Sequence, residues 1–131
     1  MQVTLLDIVL VMLGGGLGAL SRFGVEHMSV FQVPGYFRTA ATIFINVTGC
    51  LVIGILYACF QHWNVSRQWY LLCITGFLGG YTTYSAFTLD AMHMVQDGAW
   101  GTAALYVCVT LVGGLGGCAL GMFVTERLLK G

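Results

Sequence analysis

Four long apolar runs, separated by short polar stretches, dominate the chain. They extend from about Thr4 to Phe23, Thr39 to Phe60, Trp69 to Val95 and Trp100 to Val124. Each is near or above the ~20 residues that carry an α-helix across a bilayer. Apolar runs alone do not separate helix from strand, but their length and the lack of roughly ten-residue dyad alternation select helices over a barrel. The polar connections are Glu26 to Arg38, with the only proline at Pro34; Gln61 to Gln68; the turn Gln96-Asp97-Gly98; and the tail from Glu126 to Gly131. Tyr36, Trp63, Trp69 and Trp100 stand at run ends, where amphipathic rings settle at a membrane interface. The pattern predicts an all-α membrane protein, residues 1–131 forming a single domain of four transmembrane helices.

Composition strengthens this reading. Hydrophobic residues make up 58% of the 131 and charged residues 8%, against roughly 25% charged in soluble domains. So few charges cannot coat a soluble surface. Five basic and five acidic residues leave no net charge, which removes the electrostatic footprint of a nucleic-acid binder. Disorder needs the opposite balance of hydrophobicity and charge. The five cysteines form no CxxC pair and have no histidine at ligand spacing, so they read as small hydrophobes. No basic leader precedes the first run, and a cleaved signal peptide is not expected.

Four spans put both termini and the Gln61–Gln68 connection on one side, with Arg67, Arg127 and Lys130. The other side carries Arg38, plus Arg22 if it lies outside the hydrocarbon. That is a weak bias under the positive-inside rule. Such a chain can insert both ways round, and two opposite copies would form an antiparallel dual-topology dimer, the two-chain counterpart of an inverted repeat. Gly14 and Gly18, and the ladder Gly113, Gly117 and Gly121 with Gly116 beside it, follow the small-xxx-small pattern of touching helix backbones. Contacts within one subunit and between subunits fit this spacing equally. Gly14–Gly18 lacks the G-x-G-x-x-G order and the preceding strand of a nucleotide loop.

The third run holds the least helix-like stretch, Thr75-Gly76-Phe77-Leu78-Gly79-Gly80-Tyr81-Thr82-Thr83-Tyr84-Ser85-Ala86-Phe87. Paired glycines meeting paired threonines favour a helix broken mid-membrane over a tightly packed continuous one. Freed backbone groups are tolerable there only against protein or a water-filled cavity. Carbonyls at such breaks bind cations, and half-helix N-termini attract anions.

Asn46 is the most polar side chain deep in a run. Its amide can glue helices together or donate to a passing anion without the desolvation cost of a buried cation. Tyr106 and Thr110 lie one turn apart and extend a line of neutral donors. Tyr84 and Phe87 share a helix face, where they either pack or turn positively polarised ring edges toward an anion. Arg22, ending the first run, has the reach to snorkel. Asp7, Glu26, Asp90, Asp97 and Glu126 sit at or near run ends, so the central carboxylate of a proton-driven exporter is missing. His27, His62 and His93 read as interfacial, no nucleophile–base set lies at matching depth, and an enzyme is not expected.

Taken together, these residues resemble the Fluc (CrcB-type) fluoride channel family across nearly the whole chain. The likeness rests on Gly15, Gly18, Ala19 and Arg22 in the first run and on Asn-x-x-Gly at Asn46–Gly49. Its most specific part is Gly-Phe-x-Gly-Gly-x-Thr-Thr-aromatic-Ser-x-Phe at Gly76–Phe87. The resemblance implies a passive, fluoride-selective channel in the inner (plasma) membrane, working as an antiparallel homodimer, or as paired homologues, with two pores of opposite sense. By position it makes Asn46, Tyr84, Ser85, Phe87, Tyr106 and Thr110 pore residues and Arg22 a structural or vestibule residue. It also implies a central structural Na+ ion on the backbone carbonyls of Gly79 and Thr82 of each subunit. Two departures stand out: Tyr84 is usually Phe, and Gly114 replaces a hydroxyl present in some members. A dual-topology transporter and a non-conducting assembly subunit are the competing readings. The first lacks its central glutamate, and the second leaves the third run unexplained.

Overall fold

The computed structural model describes residues 2–28 and 37–131, with side chains in the second stretch from residue 39 onward. Pro34 and Tyr36 lie outside the described residues, as does the side chain of Arg38. Among the described residues the fold is entirely helical. Helix α1 spans Leu5–Glu26 and α2 Phe37–His62; a short α3, Arg67–Trp69, leads into a π-helical segment, Tyr70–Leu78. One turn, α4 (Gly79–Tyr81), precedes α5 (Tyr84–Gln96), and α6 covers Trp100–Lys130.

Local chemistry sets several of these boundaries. Thr4 caps α1 reciprocally: its hydroxyl accepts from the Asp7 amide at 3.3 Å, and its own amide donates to Asp7 Oδ2 at 2.8 Å. Such a box satisfies two of the amides a helix start leaves unpaired. Asn64 (φ 48°) and Gly98 (φ 75°) turn the chain between α2 and α3 and between α5 and α6 through the left-handed region, which Asn and Gly enter at least cost. The fourth run was expected to end near Val124, yet α6 continues to Lys130. Strong helix formers fill its last turn, and Lys130 Nζ pairs with Glu126 Oε2 at 3.1 Å.

Helices α1, α2 and α6 are each long and apolar enough to cross a membrane; the third run, being divided, contributes no single helix of that kind. The elements pack as two parallel pairs. A Cβ added at Gly14 would reach within 2.9 Å of the Phe77 amide nitrogen, and one at Gly18 within 2.8 Å of that of Tyr81. Helix α1 thus lies backbone to backbone along the π-helical segment and α4. Likewise Gly113 would meet Val47 Cγ2 at 2.9 Å, and Gly117 the Val47 carbonyl at 3.3 Å, which sets α6 along α2. The glycine spacing therefore serves contacts within one subunit at these positions. Gly16 and Gly116, by contrast, face open space.

At one end of the bundle Asp7 Oδ2 lies 3.0 Å from Arg67 Nη1, tying the start of α1 to the start of α3. The last turns of α2 and α6 lie at the same end and line one small cleft with His62, Glu126 and Lys130. A buried apolar cluster of Phe87, Met94, Ala103 and Tyr106 lies between α5 and α6. Large side chains such as Leu5, Met12, Val112 and Leu115 point outward, as they do in a protein solvated by lipid.

Candidate functional site

The site is built around two residues. Thr82 (φ −77°, ψ 156°) and Thr83 (φ −145°, ψ 122°) are both extended, so the chain leaves one helix at Tyr81 and enters another at Tyr84. Their backbone groups then need partners from elsewhere. Asn46, reaching across from α2, supplies both for Thr83. Its Nδ2 donates to the Thr83 carbonyl at 2.9 Å, and its Oδ1 accepts from the Thr83 amide at 2.8 Å. A primary amide matches a peptide group in this two-point fashion and keeps one further N–H for another acceptor.

Two other hydroxyls complete the interruption. Thr83 Oγ1 accepts from the Ala86 amide at 3.2 Å and caps α5. Thr82 Oγ1 donates to the Leu78 carbonyl at 2.9 Å, beside the Thr82 amide's bond to the same oxygen at 3.0 Å. In an unbroken α-helix the amide of Thr83 would serve the Gly79 carbonyl, and that of Ala86 the Thr82 carbonyl. Both amides are diverted, to Asn46 and to the Thr83 hydroxyl. The Gly79 and Thr82 carbonyls, which the resemblance led us to expect at a cation, are the ones whose helical donors have been taken.

A cavity of about 570 Å³ opens between α2, this interruption and α6. Its wall includes Asn46, Gly79, Thr82, Tyr84, Phe87 and Thr110. Tyr84 is 76% exposed, while Phe87 and Tyr106 are buried. The three rings form a file, with centroids 5.7 Å apart from Tyr84 to Phe87 and 5.3 Å from Phe87 to Tyr106. Tyr106 stands behind Phe87, off the cavity wall. Thr110 Oγ1 donates to the Tyr106 carbonyl at 2.8 Å, so its hydrogen is held on its own helix. Ser85 is exposed, its Oγ 3.3 Å from Thr83 Oγ1. Arg22 is half-buried near the end of α1, away from this cavity, and its buried Nε has no hydrogen-bond partner among the described residues.

Asp90, read from the sequence as a residue near a run end, is buried between helices. Its Oδ2 accepts from Thr42 Oγ1 at 3.1 Å and from the Tyr106 hydroxyl at 3.4 Å. This carboxylate therefore orients the ring that backs Phe87. The available signal was depth: Thr42 and Tyr106 enter their runs by about the distance that separates Asp90 from the end of its own. Among the described residues no three His, Cys, Asp or Glu side chains gather as a metal site.

Residues 9–122 match the family model described as CrcB-like protein, Camphor Resistance (CrcB), a span that holds every residue of the candidate site. The chain belongs to the CrcB-like family. It is 39% identical over 120 residues to the fluoride-specific ion channel FluC of Acidobacterium capsulatum, covering 91% of this chain and 95% of that one. The FluC of Rhodopseudomonas palustris is 43% identical over 121 residues, 92% of this chain and 97% of its own. For the Coxiella burnetii FluC (strain CbuK_Q154) the values are 31% over 125 residues, 94% and 100%. These relatives are named as ion channels and not as enzymes, in line with the sequence reading.

Proposed function

We propose that this chain is the subunit of a passive fluoride channel. The observation that carries the reading is the Asn46 clamp on Thr83, set in the wall of a cavity that also holds Tyr84, Phe87 and Thr110. Relatives sharing nearly the full length are fluoride channels by name. Fluoride that enters a cell as neutral HF dissociates and is trapped as an anion. A membrane potential, worth ~2.3 kcal/mol per charge per 100 mV, then drives it out through an open path.

The path needs weak, neutral donors that replace the water shell of the ion without holding it. The spare N–H of Asn46, the ring edges of Phe87 and Tyr84 and the hydroxyls of Tyr84 and Ser85 supply them in this reading, while Thr110, its hydroxyl hydrogen engaged on its own helix, lines the path. Tyr106, held by Asp90, fixes the depth of Phe87. Arg22 sits in a vestibule, where its charge raises the local anion concentration.

The Gly79 and Thr82 carbonyls fit a hard cation such as Na+, since neutral oxygens suit it and their helical donors are diverted. Two from one chain are too few, so a second subunit completes the set. An ion bound there supplies a fixed positive charge that holds the two breaks together. The open side of the cavity and the near balance of charge between the two ends support an antiparallel dimer with two opposed pores in the inner membrane.

The test is efflux from liposomes containing the purified protein, followed with a fluoride electrode and repeated with chloride. Rapid fluoride loss with chloride retained is the expected result. Retention of both ions, in vesicles shown to hold folded protein, overturns the channel reading and returns the chain to an assembly role.

A further inference from the structure

The proposed path leaves one pair of thiols on the cavity wall unused. Cys50 of α2 and Cys118 of α6 both face the cavity that holds Asn46 and Thr110. Four residues separate Asn46 from Cys50, one helical turn, so the thiols sit one layer away from the amide clamp. The parallel packing of α2 and α6 fixes them at the same level. Gly54, one turn beyond Cys50, presses its backbone against the Cys118 carbonyl. Gly114, one turn before Cys118, leaves the space that the Cys50 sulfur fills, 3.3 Å from where a Cβ would stand. Both are free thiols.

We infer that Cys50 and Cys118 form a two-thiol site for a soft d10 cation, of the class Cu+, Ag+ or Hg2+, and that its occupation narrows the cavity. Soft cations prefer thiolate sulfur and accept as few as two ligands, whereas Zn2+ needs four. No third His, Cys, Asp or Glu ligand joins the pair among the described residues. Charge balance in an apolar wall decides the protonation. With mercuric chloride, both thiols release a proton, each sulfur gives an electron pair to the metal, the two chlorides leave with the protons, and the product is neutral. With a monovalent ion one proton leaves and the second sulfur binds as a thiol, again without net charge. No redox change occurs, so no oxidant is needed. A neutral mercuric salt also reaches sites within a membrane, where a hydrated ion would be excluded.

Binding is tested apart from conduction. Mercuric chloride is titrated into the detergent-solubilised full chain carrying Cys59→Ser, Cys73→Ser and Cys108→Ser. Sulfur-to-metal ultraviolet absorption is followed together with the thiols left for a maleimide. One Hg2+ per chain, consuming both thiols, is expected. A further Cys50→Ser or Cys118→Ser should weaken binding by about a hundredfold to ten-thousandfold, the usual gain from two-point attachment. One mercury per thiol, or a single-serine variant that binds as tightly, overturns the site. If the triple variant fails to fold, the wild type is compared with Cys50→Ser/Cys118→Ser. The double variant must then bind one Hg2+ fewer and protect two thiols fewer; any other difference overturns the site. The flux arm rests on the channel reading. Fluoride efflux from liposomes should fall at least about tenfold with Hg2+ and stay unaffected in Cys50→Ser/Cys118→Ser, since a tenfold change asks only ~1.4 kcal/mol of the occupied cavity. Absence of efflux before mercury is added counts against the channel and leaves the binding arm intact. Full efflux from protein loaded with mercury refutes the narrowing.

Discussion

Asn46→Asp is the sharpest perturbation available, because it changes one atom in the clamp and one charge in the cavity. The acceptor at 2.8 Å from the Thr83 amide survives, but the donor at 2.9 Å from the Thr83 carbonyl becomes a second oxygen. Thr83 is buried, so its carbonyl loses a partner at a cost of about 1–3 kcal/mol. Placing a carboxylate in a membrane-embedded wall adds about 2.5–3.5 kcal/mol. An anion passing about 4 Å from that carboxylate would meet a further ~4 kcal/mol of repulsion at an effective dielectric near 20. Some 4 kcal/mol on the barrier is roughly a thousandfold in rate. The assay is liposome efflux on protein that elutes as one species, with the melting temperature recorded beside it. Fluoride flux within tenfold of the wild type in folded Asn46→Asp would remove Asn46 from the ion path and leave it a structural clamp.

The other perturbations separate packing from conduction. Phe87→Ile removes the middle ring of the file while keeping apolar volume, and fluoride efflux should be lost with only a small change in melting temperature; retained efflux makes Phe87 a packing residue. Asp90→Ala removes the acceptor that the Thr42 and Tyr106 hydroxyls share, and at about 1.5–3 kcal/mol for a hydrogen bond to a charged group it should lower the unfolding midpoint in detergent clearly. Gly18→Ala forces a methyl to within 2.8 Å of the Tyr81 amide nitrogen, whereas Gly116→Ala enters open space. The first should cost about 1–3 kcal/mol and the second almost nothing, as read by thermal unfolding of the two variants side by side. Replacing Na+ with a large organic cation during purification should weaken association between subunits, measured by single-molecule photobleaching in bilayers, and unchanged association would remove the cation from Gly79 and Thr82.

The sequence disclosed the runs and the unusual chemistry of the third because those are local properties. Apolar length shows directly where the long helices lie, and Gly79-Gly80 beside Thr82-Thr83 shows where a helix is least content. Partnership across the bundle was less legible. The glycine ladders fit contacts within or between subunits until the register of α2 against α6, set by Val47 at Gly113 and Gly117, placed them inside one chain. Asn46 presented two possible uses, glue and anion donor; the structure shows the first in a form that residue type alone does not express, and the second belongs to the proposed channel. One N–H and the carbonyl oxygen are engaged by Thr83, and one N–H is left over.

Asp90 shows why distance from a run end is a poor guide to environment. A side chain one or two turns inside a helix end is exposed if its helix faces lipid or headgroups, and buried if neighbouring helices close over it. Here Thr42 on α2 and Tyr106 on α6 converge on the same carboxylate oxygen from different helices. Depth along the chain supplied the right level, while the face of each helix, which no single run reveals, decided that Asp90 points inward. The consequence reaches the cavity. Asp90 holds the Tyr106 hydroxyl, the Tyr106 ring backs Phe87 at 5.3 Å, and Phe87 lies on the wall opened by the Asn46 clamp. In the proposed channel this keeps an acidic side chain off the anion path while it still helps to position Phe87, which the same side chain on the wall could do only by facing the ion.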